Sequence, residues 1–312
     1  MANNQTLVDI IICTKNNRDI IGACLNAVNS QSFKQWRCLV VDDGSTDESQ
    51  YLISEKFPWV KLLRLKGKGP AYNRNVAIKK TTAQYIVTLD SDTVLTKDWL
   101  KLMVKFMEDN PMIGIAGSKI LYQDKPEIIN MAGGNMLASG LVYHLGNGCS
   151  SNAPRYHYDR QVFYVSSAAM IIRRQILKAI DMFDSDYGYG YEDLDLCWRA
   201  NLAGFPVFYC HQAEAFHWMN ATIKTWPSEK LRFLSSKNRV MTLLKNYQAR
   251  SLVKYSPLFL FHFLYLLVFK DHRLATINGY WWNIINLSHT LKKRGKIDII
   301  RKINDWQLTK LL

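Results

Sequence analysis

The stretch YIVTLDSDTVL, Tyr85 to Leu95, reads as a strand and then presents two carboxylates, Asp90 and Asp92, with one serine between them. Its β-branched, aromatic and aliphatic residues are the types that fill a covered strand. Two like charges where such a strand ends repel each other in a partly dry cleft, which raises a pKa or costs stability. A divalent cation removes the conflict. Mg2+ and Mn2+ take hard oxygen ligands, often one or two carboxylates together with substrate phosphates. On its own, Asp-x-Asp is equally a turn cap beside a solvated acid.

Two further acidic groups occupy comparable positions. VVDDGSTD places Asp42 and Asp43 just past a strand, where a carboxylate accepts from a nucleobase imide or a ribose hydroxyl. Asp47 in the same stretch reads as a helix N-terminal acid, favoured there by the helix dipole. GYGYEDLDLCWRANLAGF places Glu192 and Asp193 where a helix begins. An acid there stays ionised and serves as general base toward an alcohol, although acids in first turns are common. His217 in AEAFHWMN reads as following a strand; a lone histidine is more often a core residue than a ligand, unless a metal is already implied.

The elements that carry these groups alternate. LVDIIIC, RCLVV, VKLLRL and YIVTL read as strands, separated by helical periodicity after Asp19, from about Thr46, and through AYNRNVAIKK. Asp19 is placed to cap the first helix, and Ser45 and Glu48 have the spacing of a capping box. Such alternation predicts an α/β fold, a parallel sheet covered by helices, with ligands beyond the carboxyl ends of the strands. Short strands are expected around Ile113 to Ile120 and Val162 to Arg173, then a helix ended by Gly204 and a strand PVFYC. From Ser228 onward the chain reads as helical.

The 312 residues are long enough for one large domain with an appendage, or two domains. Six cysteines show no CxxC pair or zinc spacing, so buried free thiols are expected. With no basic and apolar leader at the N-terminus, this favours a reducing cytoplasm. A formal net charge of +14 implies an anionic partner: nucleic acid, an acidic membrane surface or a phosphorylated substrate.

In order and spacing, VDIIICTKNN, VVDDGSTDES, NRNVAI, YIVTLDSDT and GYGYEDLDLCWRANLAGF resemble the motifs of family 2 glycosyltransferases, over roughly Leu7 to Asn246. The resemblance implies the A-type glycosyltransferase fold, with a mostly parallel nucleotide-binding sheet flanked by helices and a C-terminal helical extension. It implies an inverting, metal-dependent enzyme using Mn2+ or Mg2+ and a nucleoside-diphosphate sugar, UDP- or dTDP-linked. Nucleotide contacts are implied for Thr14, Asp42, Asp43, Arg74 and Asp90, and metal contacts for Asp90, Asp92 and His217. For Arg74 a structural salt bridge is the other reading. Of Glu192 and Asp193, Asp193 is taken as the base. The catalytic domain is expected over 1–225, its nucleotide-sugar half about 1–120 and its acceptor half about 121–225, with the helical extension over 226–312. SSKNRVMTLLKNY resembles the helix that follows the core in the rhamnosyltransferase-like branch.

Departures from the family pattern shape the expectation further. Cys13 stands where proline is usual, and Ser166 and Ser167 stand where a glycine is, which alters the acceptor side. The Gln-x-x-Arg-Trp segment of processive synthases and their bundles of transmembrane helices are absent from the sequence. Transfer of a single sugar to a glycan or lipid-linked glycan, in cell-surface polysaccharide assembly, is therefore expected. A sugar nucleotidyltransferase would also use strand-end carboxylates and a metal, but CTKNNRD matches its Gly-rich, lysine-bearing loop poorly. A non-enzymatic basic protein binding membrane or nucleic acid would explain the charge and leave the ordered acids unexplained, so nucleic acid is not expected as a partner.

The C-terminal third suggests where an anionic surface fits. PLFLFHFLYLLVF, Pro257 to Phe269, is strongly apolar but shorter than the roughly 20 residues of a spanning helix. Lys254, Lys270 and Arg273 flank it, Trp281 and Trp282 suit the headgroup level, and Lys292, Lys293, Arg294, Lys296, Arg301 and Lys302 follow. Peripheral docking at the inner face of the cell membrane is expected, with packing as a core helix the alternative.

Overall fold

The computed structural model describes residues 6–218 and 226–309; residues 1–5, read above for a leader, and the boundary set at 225 lie outside the described residues. The first third alternates as its periodicity requires: β1 (Val8–Thr14), α1 (Arg18–Asn29), β2 (Trp36–Asp42), α2 (Ser49–Lys56), β3 (Lys61–Arg64), α3 (Pro70–Lys79) and β4 (Tyr85–Asp90). Val8, Ile10, Ile11 and Ile12 of β1 have no exposed surface, as expected of a central strand covered on both faces. β1 runs parallel to β2 on one side and to β4 on the other, so the strand order reverses there. Open α/β sheets form their ligand crevice at that reversal. The register then places the chemistry: Thr14 lies opposite Asp42, and Cys13 opposite Asp90.

The sheet continues as a mixed one. After β5 (Thr93–Leu95) and α4 (Trp99–Asp109) come β6 (Ile115–Tyr122), β7 (Ile129–Met131) and a Gly-rich hairpin of β8 (Gly134–Met136) and β9 (Val142–His144). Then follow β10 (Arg160–Gln161), β11 (Ala169–Arg173), α5 (Arg174–Ile180), α6 (Glu192–Leu202) and β12 (Val207–His217). β11 lies antiparallel between β4 and β6, and β12 runs parallel to β6. The result is a mostly parallel mixed sheet flanked by helices, ten-stranded among the described residues. α4 covers it with Trp99, Leu100, Met103, Val104 and Met107, recurring at helical spacing.

Several local expectations are corrected. The second helix begins at Ser49, not near Thr46, and no capping box forms. Ser45 Oγ instead accepts from the Asn16 amide at 2.9 Å, which commits it to a loop contact. Asp47 does serve the helix start, accepting from the amides of Ser49 at 3.1 Å and Arg18 at 2.9 Å. Asp19 lies inside the first turn of α1 rather than before it. The strand expected over Val162–Arg173 is confined to β11, because Tyr164 leaves the sheet to bridge Gly134 of the hairpin. The strand expected at PVFYC runs on to His217, since β12 shifts register between Cys210 and Glu214 and pairs again. His217 therefore ends a strand instead of following one.

Beyond Ser228 the chain is helical: α7 (Ser228–Asn246), α8 (Ala249–Phe269), α9 (Arg273–Ile285), α10 (Leu287–Ile300) and α11 (Asp305–Thr309). α7 joins the sheet domain through buried charge. Lys245 Nζ sits 2.7 Å from both Asp184 and Asp195, and Asn246 donates to Asp195 at 3.0 Å.

The loop before α3 packs tightly against the one before α6. Gly69 has φ +84° and ψ 165°, a region held almost only by glycine, and a Cβ there would lie 2.5 Å from the Gly188 carbonyl oxygen. Gly69→Ala is expected to destabilise the fold by about 1–3 kcal/mol through strain alone. A urea unfolding midpoint equal to that of the parent protein would contradict this.

Candidate active site

A cavity of about 410 Å³ opens beyond the carboxyl ends of β1 and β4. Thr14, Asp43, Arg74, Asp90, Asp92, Glu192, Asp193 and His217 all line it. Asp42 does not. Its carboxylate is buried against the Ser45 amide, with contacts of 3.2 and 3.3 Å. Asp43 accepts from the amides of Lys68 at 3.0 Å and Gly69 at 3.2 Å, folding that loop over the cavity wall.

Asp90, Asp92 and His217 each offer a ligand atom, all within 4.8 Å of one another. Strand pairing makes this cluster: β12 lies antiparallel to β5 with His217 opposite Thr93, and the Trp218 amide donates to the Asp92 carbonyl at 3.0 Å. His217 Nε2 lies 3.1 Å from Asp92 Oδ1. Burial works to lower the imidazole pKa, but the bond to Asp92 and the charge of Asp90 outweigh it and raise the value. Two carboxylates and one imidazole within this span fit a divalent cation, which would take the place of the proton.

The acid pair faces this cluster from α6, whose preceding residue, Tyr191, adopts a left-handed conformation with φ +73°. Glu192 Oε1 accepts from Arg74 Nη1 at 3.0 Å, and Arg74 Nη2 donates to Asp90 at 2.8 Å. One buried guanidinium thus ties the metal-side strand to the acid-bearing helix. Burial, then the charge of Asp193, push Glu192 up to about 7 against the lowering effect of Arg74. Asp193 is also raised, chiefly by burial, although the amides of Leu194 and Ser167 stabilise its charge. Those amides lie 2.7 and 3.2 Å away, and no cation forms a salt bridge with Asp193 among the described residues. Asp195, the third acid of the turn, is taken up by Arg199 at 2.8 Å and Lys245 at 2.7 Å.

The cavity wall also holds unpartnered polar atoms, those of Asn73 and Asn130 on residues that the sequence did not single out. Both side-chain polar atoms of Asn73, the Asn130 amide nitrogen, Thr14 Oγ1 and Glu192 Oε2 are buried with no protein partner. An asparagine within a helix or strand leaves no local mark of such a role. Tyr189 and Trp226 form an aromatic corner with ring centres 5.3 Å apart, and Lys230 Nζ sits 3.7 Å over the indole. The aromatic run before Glu192 was the visible trace of Tyr189.

The model of glycosyl transferase family 2 matches residues 9–181, more than half of the chain. An uncharacterized glycosyltransferase of Rickettsia conorii is 37% identical over 112 residues, 35% of this chain and 18% of that protein. The pre-mycofactocin glycosyltransferase of Mycobacterium tuberculosis is 28% identical over 202 residues, covering 64% of this chain and 41% of its own length. The chain thus spans less than half the length of either relative. In structure it resembles GalNAc-T7, solved with UDP, GalNAc and Mn2+, at a TM-score of 0.63 and 14% identity, over 80% of this chain and 49% of that one. The mannosyltransferase PcManGT of Pyrobaculum calidifontis, solved with GDP-Man and Mn2+, gives 0.55 and 15% over 91% of this chain and 76% of that one. These likenesses identify the sheet and its flanking helices as the A-type glycosyltransferase fold. With the family model covering β1 to β11 almost whole and the strand-end acids Asp42, Asp43, Asp90 and Asp92, the chain belongs to glycosyltransferase family 2.

Proposed function

We propose that the chain transfers one sugar, with inversion, from a UDP- or dTDP-linked donor to a hydroxyl of a glycan or lipid-linked glycan, in cell-surface polysaccharide assembly. The observation that carries this reading is that the Asp90, Asp92 and His217 cluster shares one cavity with Asp193, which forms no salt bridge among the described residues. Residues 1–120 would hold the nucleotide sugar, 121–225 the acceptor, and 226–312 the helical extension. Thr14, Asp43 and Arg74 line the nucleotide side; Asp42 would act through the loop it braces. Asp90, Asp92 and His217 would hold a divalent cation, Mn2+ or Mg2+, which when bound neutralises the diphosphate and eases its departure. The neighbouring folds solved with Mn2+ and nucleotide or nucleotide sugar support that choice.

Asp193 is the better base of the pair. Glu192 is tied by Oε1 in an ion pair with Arg74, whereas Asp193 forms no salt bridge among the described residues, is held by the amides of Leu194 and Ser167, and has its pKa raised chiefly by burial. The acceptor hydroxyl gives its proton to Asp193 as its oxygen bonds to the anomeric carbon. The bond to the diphosphate oxygen breaks on the opposite face, and one such displacement inverts the configuration.

We also assign the extension to an acidic bilayer surface. α8 has 21 residues, so the helix is longer than its apolar run and its length alone does not exclude a span. It is also no core helix, since Leu266 is its only buried residue. One stripe, including Leu252, Tyr255 and Phe259, packs on the body, while Phe261, Leu264, Val268 and Phe269 stand exposed beside Leu274, Trp281 and Ile284 of α9. A helix held flat along one side suits the plane of an interface. The basic tail contributes less than its count implies. Lys293 pairs with Asp184 and Asp186, Arg301 with Asp305, Arg294 with Asp298, and Lys302 lies over Phe205. Trp282 likewise turns inward beneath Lys237. Lys254, Lys270, Arg273, Lys292 and Lys296 remain exposed for the surface.

Incubation with a panel of nucleotide sugars and Mn2+ tests the activity, with release of nucleoside diphosphate as the expected product. Pyrophosphate chemistry would indicate the nucleotidyltransferase instead. In Asp193→Asn, nucleotide-sugar binding should persist while transfer falls roughly 10²–10⁴-fold; if Glu192→Gln alone abolishes transfer, the base is wrongly assigned. In flotation with liposomes, acidic lipid should recruit the chain, salt should weaken the binding, and Phe261→Glu should reduce it roughly tenfold through lost apolar burial. Equal recovery in the soluble fraction with and without acidic lipid would rule the docking out.

A further inference from the structure

We infer that Asn238, on α7, is a positioning residue for the proposed sugar transfer: one buried amide holds in shape the loop that delivers Tyr189 to the cavity and Asp193 to its place. The inference rests on the transferase reading. Asn238 has no exposed surface. Its Nδ2 lies 3.0 Å from the Tyr187 carbonyl, 2.8 Å from that of Tyr189 and 2.8 Å from that of Gly190. Two amide hydrogens therefore gather three carbonyls at one point.

The loop needs such a clamp. Gly188, Gly190 and Tyr191 all have positive φ, at +69°, +80° and +73°, and a non-glycine residue holds that conformation only where its surroundings impose it. Between residues 187 and 191 the backbone supplies one bond, from the Tyr189 amide to the Tyr187 carbonyl at 2.8 Å. The rest of the restraint comes from outside. Tyr191 Oη donates to the Gly140 carbonyl at 3.1 Å, and Tyr187 Oη meets Thr242 Oγ1, one turn beyond Asn238, at 2.8 Å. α6 starts at the next residue, so any relaxation of the loop moves Glu192 and Asp193 directly. Displacement of a reacting group by about 1 Å can cost on the order of 10²-fold in rate.

The test compares Asn238→Asp, which keeps the shape but lacks the donor hydrogens, with Asn238→Ser, which keeps a smaller donor. Both are measured for transfer, for affinity toward nucleoside diphosphate with Mn2+, and for hydrogen exchange across the chain. Exchange should quicken over residues 187–194 while β1 and β4 stay protected. Affinity should stay within about threefold, and kcat should fall by on the order of 10²-fold in Asn238→Asp and less in Asn238→Ser. Should Asn238→Asp fail to fold, Asn238→Ser carries the comparison. Unchanged exchange, unchanged kcat, or affinity and kcat falling in proportion would each overturn the inference. A parent protein that releases no nucleoside diphosphate from any donor instead removes the transferase reading, and this inference with it.

Discussion

Arg74 is the interaction on which the rest of the site depends. Beyond Asp43, four carboxylates, from Asp90, Asp92, Glu192 and Asp193, converge on one cavity, and their mutual repulsion in a poorly solvated space would drive the walls apart. The Arg74 guanidinium, only 2% exposed, lies between two of them and satisfies one from each side of the cleft. The acids in turn keep it charged: burial would lower its pKa, but Asp90 and Glu192 raise it instead. Breaking such a buried pair by removing one partner typically costs about 3–5 kcal/mol. Arg74 thus lines the cavity while forming a salt bridge, so the proposed nucleotide contact and the structural reading of this residue are compatible.

The same logic extends into the C-terminal helices. Asp184 and Asp195 are buried acids whose charges are met by Lys245, Lys293 and Arg199, and both carboxyls lie below their ordinary pKa despite burial. Two of these three cations come from α7 and α10, so the extension completes the electrostatics of the segment that carries the site. Positive charge that looked like a surface patch in the sequence is partly internal ballast. Its removal would leave Asp195 with Arg199 alone and Asp184 without a cation.

What could be read from the sequence follows from range. Strand and helix alternation is local, and it located the first strands of the sheet and the carboxylates at their ends, whereas the reversal of strand order at β1 emerges only from the pairing. The register that sets Asp92 beside His217 is not local, because it needs β12 to bulge and re-pair with β5. The bond from Arg74 to Glu192 spans 118 positions, and nothing near either residue announces the other. Ser45 and Glu48 show the converse failure: the right spacing for a cap was overridden by a tertiary contact to Asn16. Asn73, Asn130 and Asn238 escaped notice because an amide declares its role only once its surroundings are known. The tail lysines and arginines were legible as charge and illegible as partners.

The central claim is that one guanidinium holds the metal end and the base end of the cavity as a unit. Arg74→Lys tests it most directly, since a single ammonium keeps the charge but lacks the planar fork that reaches both carboxylates. The measurement is the single-turnover rate of sugar transfer at saturating Mn2+ and donor, on protein shown by cooperative unfolding to be folded. A fall on the order of 10²-fold is the predicted result, in line with lost alignment rather than lost binding. A folded variant that transfers sugar within a few-fold of the parent rate would contradict the claim.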